Sequence, residues 1–277
     1  MKIAGARLSP QGETFAAVLQ GPDQPARILT DLASFWAAPV VAMSSAIDGA
    51  SLVGLAELTL VPPVPAGARV FCVTPDDGGF RIDARWSASL AVDGSSVPLT
   101  AAHGGLRWAV GVAAYIGSVL IDVDPDEADR AIVGYSSFSD IAAAGAGLHA
   151  ALARNGDNSA PMGALITRDE VGDLDDAVRV RVRVGADTVH DASAVGSASR
   201  LASAVSLISR LLTLRPGDLI VLGVAAEPET ATPLRSGAVI EVGIERLGTL
   251  TNTVVGDERR NAAVGSGGEH QASSARA

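Results

Sequence analysis

The chain has 277 residues, 48% of them hydrophobic but only 4% aromatic, so a sizeable core must be built from Ala, Val, Leu and Ile. A formal net charge of −10 excludes the cationic surface on which nonspecific nucleic-acid binding depends, and it disfavours an anionic membrane. Cys72 is the only cysteine, which excludes an intrachain disulfide and a thiolate zinc cluster. The opening residues Met1–Arg7 lack the apolar run of a signal peptide, and no stretch reaches the roughly 18 apolar residues of a membrane span. A soluble, cytoplasmic protein is the expectation.

In chain order, Lys2–Leu8 and Thr14–Gln20 read as a hairpin turned by Ser9-Pro10-Gln11-Gly12. Asp31 caps a short helix carrying Leu32, Phe35 and Trp36, and a second helical piece is expected after Ser51 through Leu52, Leu55 and Leu58. Val61-Pro62-Pro63-Val64-Pro65 breaks regular structure and marks a boundary. Residues 1–65 are expected as a small N-terminal α/β domain, 66–256 as the main domain and 257–277 as a disordered tail. Arg69–Val73 is a strand and 74–79 a loop. Leu106–Ile116 is apolar and partly β-prone, and Asp124 opens a short helix with acidic residues at its N-terminus.

Gly134–Asp140 reads as a strand end and polar turn, leading into an Ala-rich helix over 141–153. Ala164–Thr167 and Ala177–Val184 read as strands. In the second, Val178, Val180, Val182 and Val184 alternate with Arg179, Arg181 and Arg183, a half-exposed pattern whose arginines form a solvated face. Ser197–Leu212 is a helix with Leu201, Val205, Ile208 and Leu212 on one side. Leu219–Leu222 and Val239–Ile244 are further strands. Four histidines are present. His103 reads as a loop residue, His149 as part of the Ala-rich helix, and His190 as an exposed strand end or a pocket acid/base; His270 falls in the tail.

An ordered set of segments covers much of the second half. It runs through Pro161-Met162-Gly163, Ile166–Val171, Ile208-Ser209-Arg210, Thr213–Ile220, Leu234–Gly237, Val242–Leu250 and Asn252–Val255. Together these resemble the C-terminal half of the fumarylacetoacetate hydrolase family. Upstream, Leu106–Gly117 and Val133–Asp140 are similar to the family's two metal-bearing segments. The resemblance implies a β-rich α+β fold, a mixed β-roll or sandwich with flanking helices, and a homodimer. It also implies chemistry on carbonyl acids, in which Mg²⁺ or Mn²⁺ on a Glu-x-Glu pair and an Asp stabilises an enolate.

This chain departs from that pattern at the chemistry. The Glu-x-Glu positions fall on Ala109 and Gly111, and only Asp140 keeps its acid. The Arg that usually follows falls on Ala144, the family lysine on Arg154, and the Gly-Thr-Pro turn on Gly223-Val224-Ala225. Residues 74–85 supply Asp76, Asp77, Asp83 and Arg85, but no His or Glu. One carboxylate cannot define a hard-cation site, so no metal and no other cofactor is expected.

Asp140, Arg154 and His190 are the candidate catalytic residues. Ala109, Gly111, Tyr135, Ser139 and Val224 are the candidate substrate-binding residues. Asp140 is open to three roles: helix cap, hydrogen-bond acceptor or lone general base. Arg154 is open to a surface or a pocket role. The small apolar replacements imply a larger, drier pocket for a bulky, mainly hydrophobic small molecule, and a cyclisation, isomerisation or similar rearrangement of a polyketide-like intermediate in secondary metabolism. Two alternatives stand beside this. One is an inactive binding or partner subunit. The other is a residual metal-dependent hydrolase or decarboxylase drawing ligands from 72–105.

Overall fold

The computed structural model describes residues 1–44, 50–100, 103–144, 150–228 and 230–256. The N-terminal part holds β1 (Lys2–Arg7), β2 (Phe15–Val18), β3 (Ala26–Asp31), α1 (Leu32–Ala37), α2 (Pro39–Ser44), β4 (Leu52–Val53) and β5 (Thr59–Val61). Then follow β6 (Val70–Asp76), β7 (Gly79–Arg85), β8 (Leu90–Val92), β9 (Ser96–Leu99) and β10 (Leu106–Ile116). Next come α3 (Pro125–Arg130), β11 (Ile132–Ala143), α4 (Ala150–Arg154), β12 (Ala160–Met162), β13 (Leu165–Thr167) and α5 (Arg168–Val171). The chain closes with β14 (Val178–Val184), β15 (Asp187–Ala194), α6 (Ser197–Ser209), β16 (Leu219–Ala226), β17 (Val239–Ile244) and β18 (Gly248–Gly256).

The fold is β-rich α+β, as the resemblance implies. A 13-stranded sheet carries the path β4-β3-β2-β1-β13-β11-β10-β16-β6-β7, and a five-stranded sheet runs β15-β14-β17-β18-β9. Strand β1 pairs with β2 on one side and β13 on the other, so backbone hydrogen bonds run from the N-terminal strands into the large sheet. No helix among the described residues is long and apolar enough to cross a membrane.

The organising pair is β10 with β11, an antiparallel ladder from Leu106↔Ala143 to Ile116↔Ile132. Successive side chains on a strand point to opposite faces, so each strand feeds two cores. Trp108, Val110, Val112 and Ala114 meet Val178, Val180, Val182, Leu201 and Val205 between the two sheets. Ala113 and Tyr115 join Phe35, Trp36 and Phe138 on the other side. There Trp36 stacks on Tyr115 at 5.9 Å and donates its indole N–H to the Pro63 carbonyl at 3.0 Å, so the proline-rich break is tied to the core.

Local chemistry explains most of the short elements. Asp31 caps α1 by accepting from the Ser34 N–H at 2.9 Å, and Asp124 caps α3 by accepting from the Glu127 N–H at 2.8 Å. In the Pro216-Gly217-Asp218 turn, Gly217 adopts φ +86°, and a Cβ there would lie 2.3 Å from Pro65. The Asp218 carboxylate accepts from the backbone N–H groups of Arg69 (3.0 Å) and Arg215 (2.8 Å) and pairs with the Arg69 guanidinium, a structural role.

Three local readings are corrected. Residues 141–143 continue β11, because pairing with Leu106–Trp108 outweighs the helical preference of alanine. Of the expected Ala-rich helix, α4 is formed, and 145–149, with His149, lie outside the described residues. Residues 74–76 and 79 belong to a tight hairpin rather than a loop. The expected helix after Ser51 is instead two short strands flanking one 3₁₀ turn, Leu55–Glu57; a three-residue apolar spacing suits that turn equally well. The stretch read as a disordered tail also lies outside the described residues.

Candidate active site

The β10–β11 register places Ala109 opposite Asp140 and Gly111 opposite Phe138. On its other edge, β10 pairs Ala109 with Ala226 and Gly111 with Gly223, with a bulge between Val110 and Gly111. Strand β6 lies beyond β16, in parallel, and its hairpin partner β7 follows. These strands enclose a cavity of about 320 Å³. Ala109, Gly111, Val221, Gly223, Val224 and Ala225 form its apolar walls, and Cys72, Arg81, Asp140 and Arg154 add polar groups. The sequence thus brings Asp140, Arg154, Ala109, Gly111 and Val224 together at one site.

Asp140 sits inside β11 and is 7% exposed, so it is not a helix cap. Its Oδ1 accepts from Arg85 Nη2 and its Oδ2 from Arg154 Nη2. Burial, the largest influence, raises the Asp140 pKa, but the two guanidiniums outweigh it and hold the carboxyl below its usual range. Burial likewise lowers the Arg154 pKa, and Asp140 more than restores it. Arg154 Nη1 donates to Asp83 Oδ2 at 2.5 Å, and Arg81 Nε lies 3.5 Å from the same oxygen. Burial, with Asp140 nearby, pushes the Cys72 thiol up to about 12, so it is a wall and not a nucleophile.

Arg85, which the sequence offers only as one of the charged residues of 74–85, is the site residue missing from the candidates. Its side chain is 0% exposed. Nη1 donates to the Arg154 carbonyl and, at 2.9 Å, to Ser159 Oγ; Nη2 donates to Asp140 and, at 2.8 Å, to the Ile141 carbonyl. The Nε of Arg85 has no partner among the described residues. A signal existed in the sequence. Arg81, Asp83 and Arg85 alternate along β7 and so share a face, a charged row that a pairing strand must either expose or neutralise.

Three candidates lie elsewhere. His190 is in β15 of the smaller sheet, opposite Val182, and packs edge-on against Trp108 at 6.4 Å. Trp108 alternates with Ala109 and points to the opposite face of β10, so His190 is separated from the cavity by the sheet. Tyr135 and Ser139 alternate with Asp140 on β11 and face away from it. Tyr135 belongs to the core between the sheets, and Ser139 is fully buried with no partner for its hydroxyl among the described residues. Arg179 and Arg181 pair with Asp191, as a solvated charged face does.

The residues present do not fit the divalent cation that the resemblance implies. Ala109 and Gly111 carry no side-chain donor atoms, and both oxygens of Asp140 already accept from guanidiniums. Among the described residues no three His, Cys, Asp or Glu side chains converge on a metal position. Asp76 and Asp77 are exposed at the β6–β7 turn, and Asp83 is paired with Arg154. Gly111 itself has no room for a side chain, since a Cβ there would lie 2.5 Å from Val221 Cγ1 and 3.0 Å from the Leu222 carbonyl oxygen. Gly111→Glu is therefore expected to destabilise the fold by roughly 1–3 kcal/mol through overpacking and to add no Mn²⁺ affinity, as read by thermal melts with and without the metal.

Comparison with known proteins identifies the family. The family model "Fumarylacetoacetate (FAA) hydrolase C-terminal" matches residues 82–255. The 2,4-didehydro-3-deoxy-L-rhamnonate hydrolase of Sphingomonas sp. (strain SKA58) is 29% identical over 177 residues, covering 58% of this chain and 61% of the relative. A mitochondrial oxaloacetate tautomerase of Oryza sativa subsp. japonica is 28% identical over 163 residues, covering 56% of this chain and 70% of the relative. The matches span about half to seven-tenths of the length of these curated relatives.

Among solved structures, the fumarylacetoacetate hydrolase of Exiguobacterium antarcticum superposes with a TM-score of 0.75 at 21% identity, covering 92% of this chain and 100% of that one. The maleylpyruvate hydrolase of Sphingobium sp. SYK-6, in complex with manganese(II) and pyruvate, gives 0.71 at 21% identity over 93% and 100%. These structural likenesses establish the fold. With the family model covering 174 residues (82 to 255 inclusive) of 277, the chain belongs to the fumarylacetoacetate hydrolase family.

Proposed function

We propose that the protein is an enzyme that rearranges a carbonyl-bearing, mainly apolar small molecule, by isomerisation, cyclisation or a related step, without a divalent cation. The observation that carries this reading is Arg154, anchored on Asp140 at the edge of an apolar-walled cavity. Relatives named as an oxaloacetate tautomerase and a didehydro-deoxy-rhamnonate hydrolase support a carbonyl substrate. The volume of about 320 Å³ lies at the lower end of the roughly 300–1,000 Å³ typical of ligand sites, so the substrate is of modest size rather than bulky.

Rate would come from two sources. The Ala, Gly and Val walls fix the conformation of a flexible substrate, which turns part of the barrier into pre-paid orientation. Negative charge that develops on the carbonyl oxygen is met by a guanidinium already in place, which needs no reorganisation as the charge forms. Asp140 serves as the counter-ion that aims Arg154. A carboxyl held below its usual range, with both oxygens engaged, is a poor proton acceptor near neutrality. Proton movement is then left to the substrate's own acidic and basic groups or to water, which favours intramolecular rearrangement over hydrolysis.

The test is turnover of a panel of 2-oxo and β-dicarbonyl compounds by protein dialysed against chelator. Turnover that survives chelator and is lost in Arg154→Ala supports the reading; turnover restored only by Mn²⁺ or Mg²⁺ contradicts it. A second reading, a ligand-binding or partner subunit without turnover, is favoured by one observation: no histidine is among the residues lining the cavity. Ligand binding with no turnover across the panel would select it. A homodimer is also proposed, and light scattering at twice the chain mass is the expected result.

A further inference from the structure

The two arginines on Asp140 are not equivalent. All four Nη–H positions of Arg85 are directed at protein acceptors, and its side chain is fully buried. Arg154 uses one bond from each Nη, to Asp83 and Asp140, and its side chain keeps 22% exposure and lines the cavity. A guanidinium carries five N–H donors, so Arg154 retains donors for a ligand while Arg85 retains none that faces the cavity. The charges differ in effect too. One guanidinium alone would be neutralised by Asp140. With Arg81, Arg85 and Arg154 set against Asp83 and Asp140, three positive charges face two negative ones.

We infer that Arg85 and Arg154 form a built-in cation in place of the divalent ion, with Arg85 the buried positioning residue and Arg154 the ligand-facing one, so that the cavity takes a compact oxyanion without metal. Arg85 contributes by sharing Asp140, so that Arg154 is not neutralised by Asp83 and Asp140 together and keeps part of its charge for the cavity. It also locks the backbone that presents Arg154, by donating to the Arg154 carbonyl and to Ser159 Oγ, which itself donates to that carbonyl at 3.1 Å. Charge-assisted, two-pronged donation to an oxyanion is what a planar guanidinium offers and an ammonium does not.

The experiment is calorimetric titration of oxalate, a compact dianion, into chelator-dialysed protein. Saturable one-to-one binding in the absence of metal is expected. Arg154→Ala should weaken it at least tenfold. Arg85→Gln should weaken it several-fold although Arg85 touches no ligand, and Arg85→Lys should recover part of the loss by restoring the charge. If Arg85→Gln does not fold, the partly exposed Arg154 decides the matter alone. No oxalate binding by the wild type, binding that requires Mn²⁺, or binding indifferent to Arg154→Ala overturns the inference. It concerns the same cavity as the proposed function but is read by binding: oxalate binding without turnover would refute the enzyme alone, and turnover without oxalate binding would refute this inference alone.

Discussion

Asp140→Ala is expected to destabilise the protein by about 3–5 kcal/mol, the range for removing one partner of a buried ion pair. The reason is what remains. Arg85, with its side chain 0% exposed, would keep its charge and lose the one carboxylate it pairs with among the described residues. Its other acceptors are the Arg154 and Ile141 carbonyls and the Ser159 hydroxyl, none of which is charged. Asp140→Asn should cost less, because it can still accept hydrogen bonds at one oxygen. A loss of about 3–5 kcal/mol is large against the 5–15 kcal/mol that holds a typical domain folded, so urea titration of the alanine variant should show a marked fall in midpoint.

The same pair has a pH signature. Asp140 has a folded pKa below its unfolded value of about 3.9, because Arg85 and Arg154 outweigh the raising effect of burial. Its contribution is therefore fully present above about pH 4–5 and is lost as pH falls through the folded pKa. The gap in melting temperature between wild type and Asp140→Asn should be flat from pH 8 to about pH 5 and should narrow at more acid pH. A gap that changes near neutrality would mean that another group controls the cluster.

Arg154→Ala is the second large expected effect, and it falls on function. Arg154 is partly exposed and its own pairs are with Asp83 and Asp140. Its loss leaves Asp140 still bonded to Arg85, so the fold should survive with a modest stability cost. Turnover of any accepted substrate should fall by roughly 10²–10³-fold, the scale for deleting a donor that stabilises developing oxyanion charge. The loss should appear chiefly in kcat if the guanidinium acts on charge that develops only in the transition state, and in KM if it acts on the bound ground state. Arg154→Lys should recover the charge but not the planar fork, and so restore the activity only in part.

The fold was legible because its signals are local and redundant. The alternation of Val and Arg over 178–184, the apolar spacing of Leu201, Val205 and Ile208, and the Asp31 and Asp124 caps each predict an element that forms. The vacancies at Ala109 and Gly111 and the surviving Asp140 were legible too, and the structure sets all three at one cavity. What fills the vacancy was not. Arg85 is 55 residues from Asp140 in sequence, and only the β6–β7 hairpin, beyond β16, carries it there. Tyr135, Ser139 and His190 were drawn in by nearness in sequence or by chemistry. The side-chain alternation of β10 and β11 puts them on the wrong face, which a strand running through Asp140 would have shown and a turn ending there did not.

Direct titration of Mn²⁺ into chelator-dialysed protein, followed by electron paramagnetic resonance of the free ion, addresses the central claim most directly. The guanidinium pair on Asp140 predicts no stoichiometric loss of free-ion signal at millimolar metal, in the wild type and in Asp140→Asn alike. One tightly bound Mn²⁺ per chain that disappears in Asp140→Asn would show that Asp140 is a metal ligand after all, and would contradict the account.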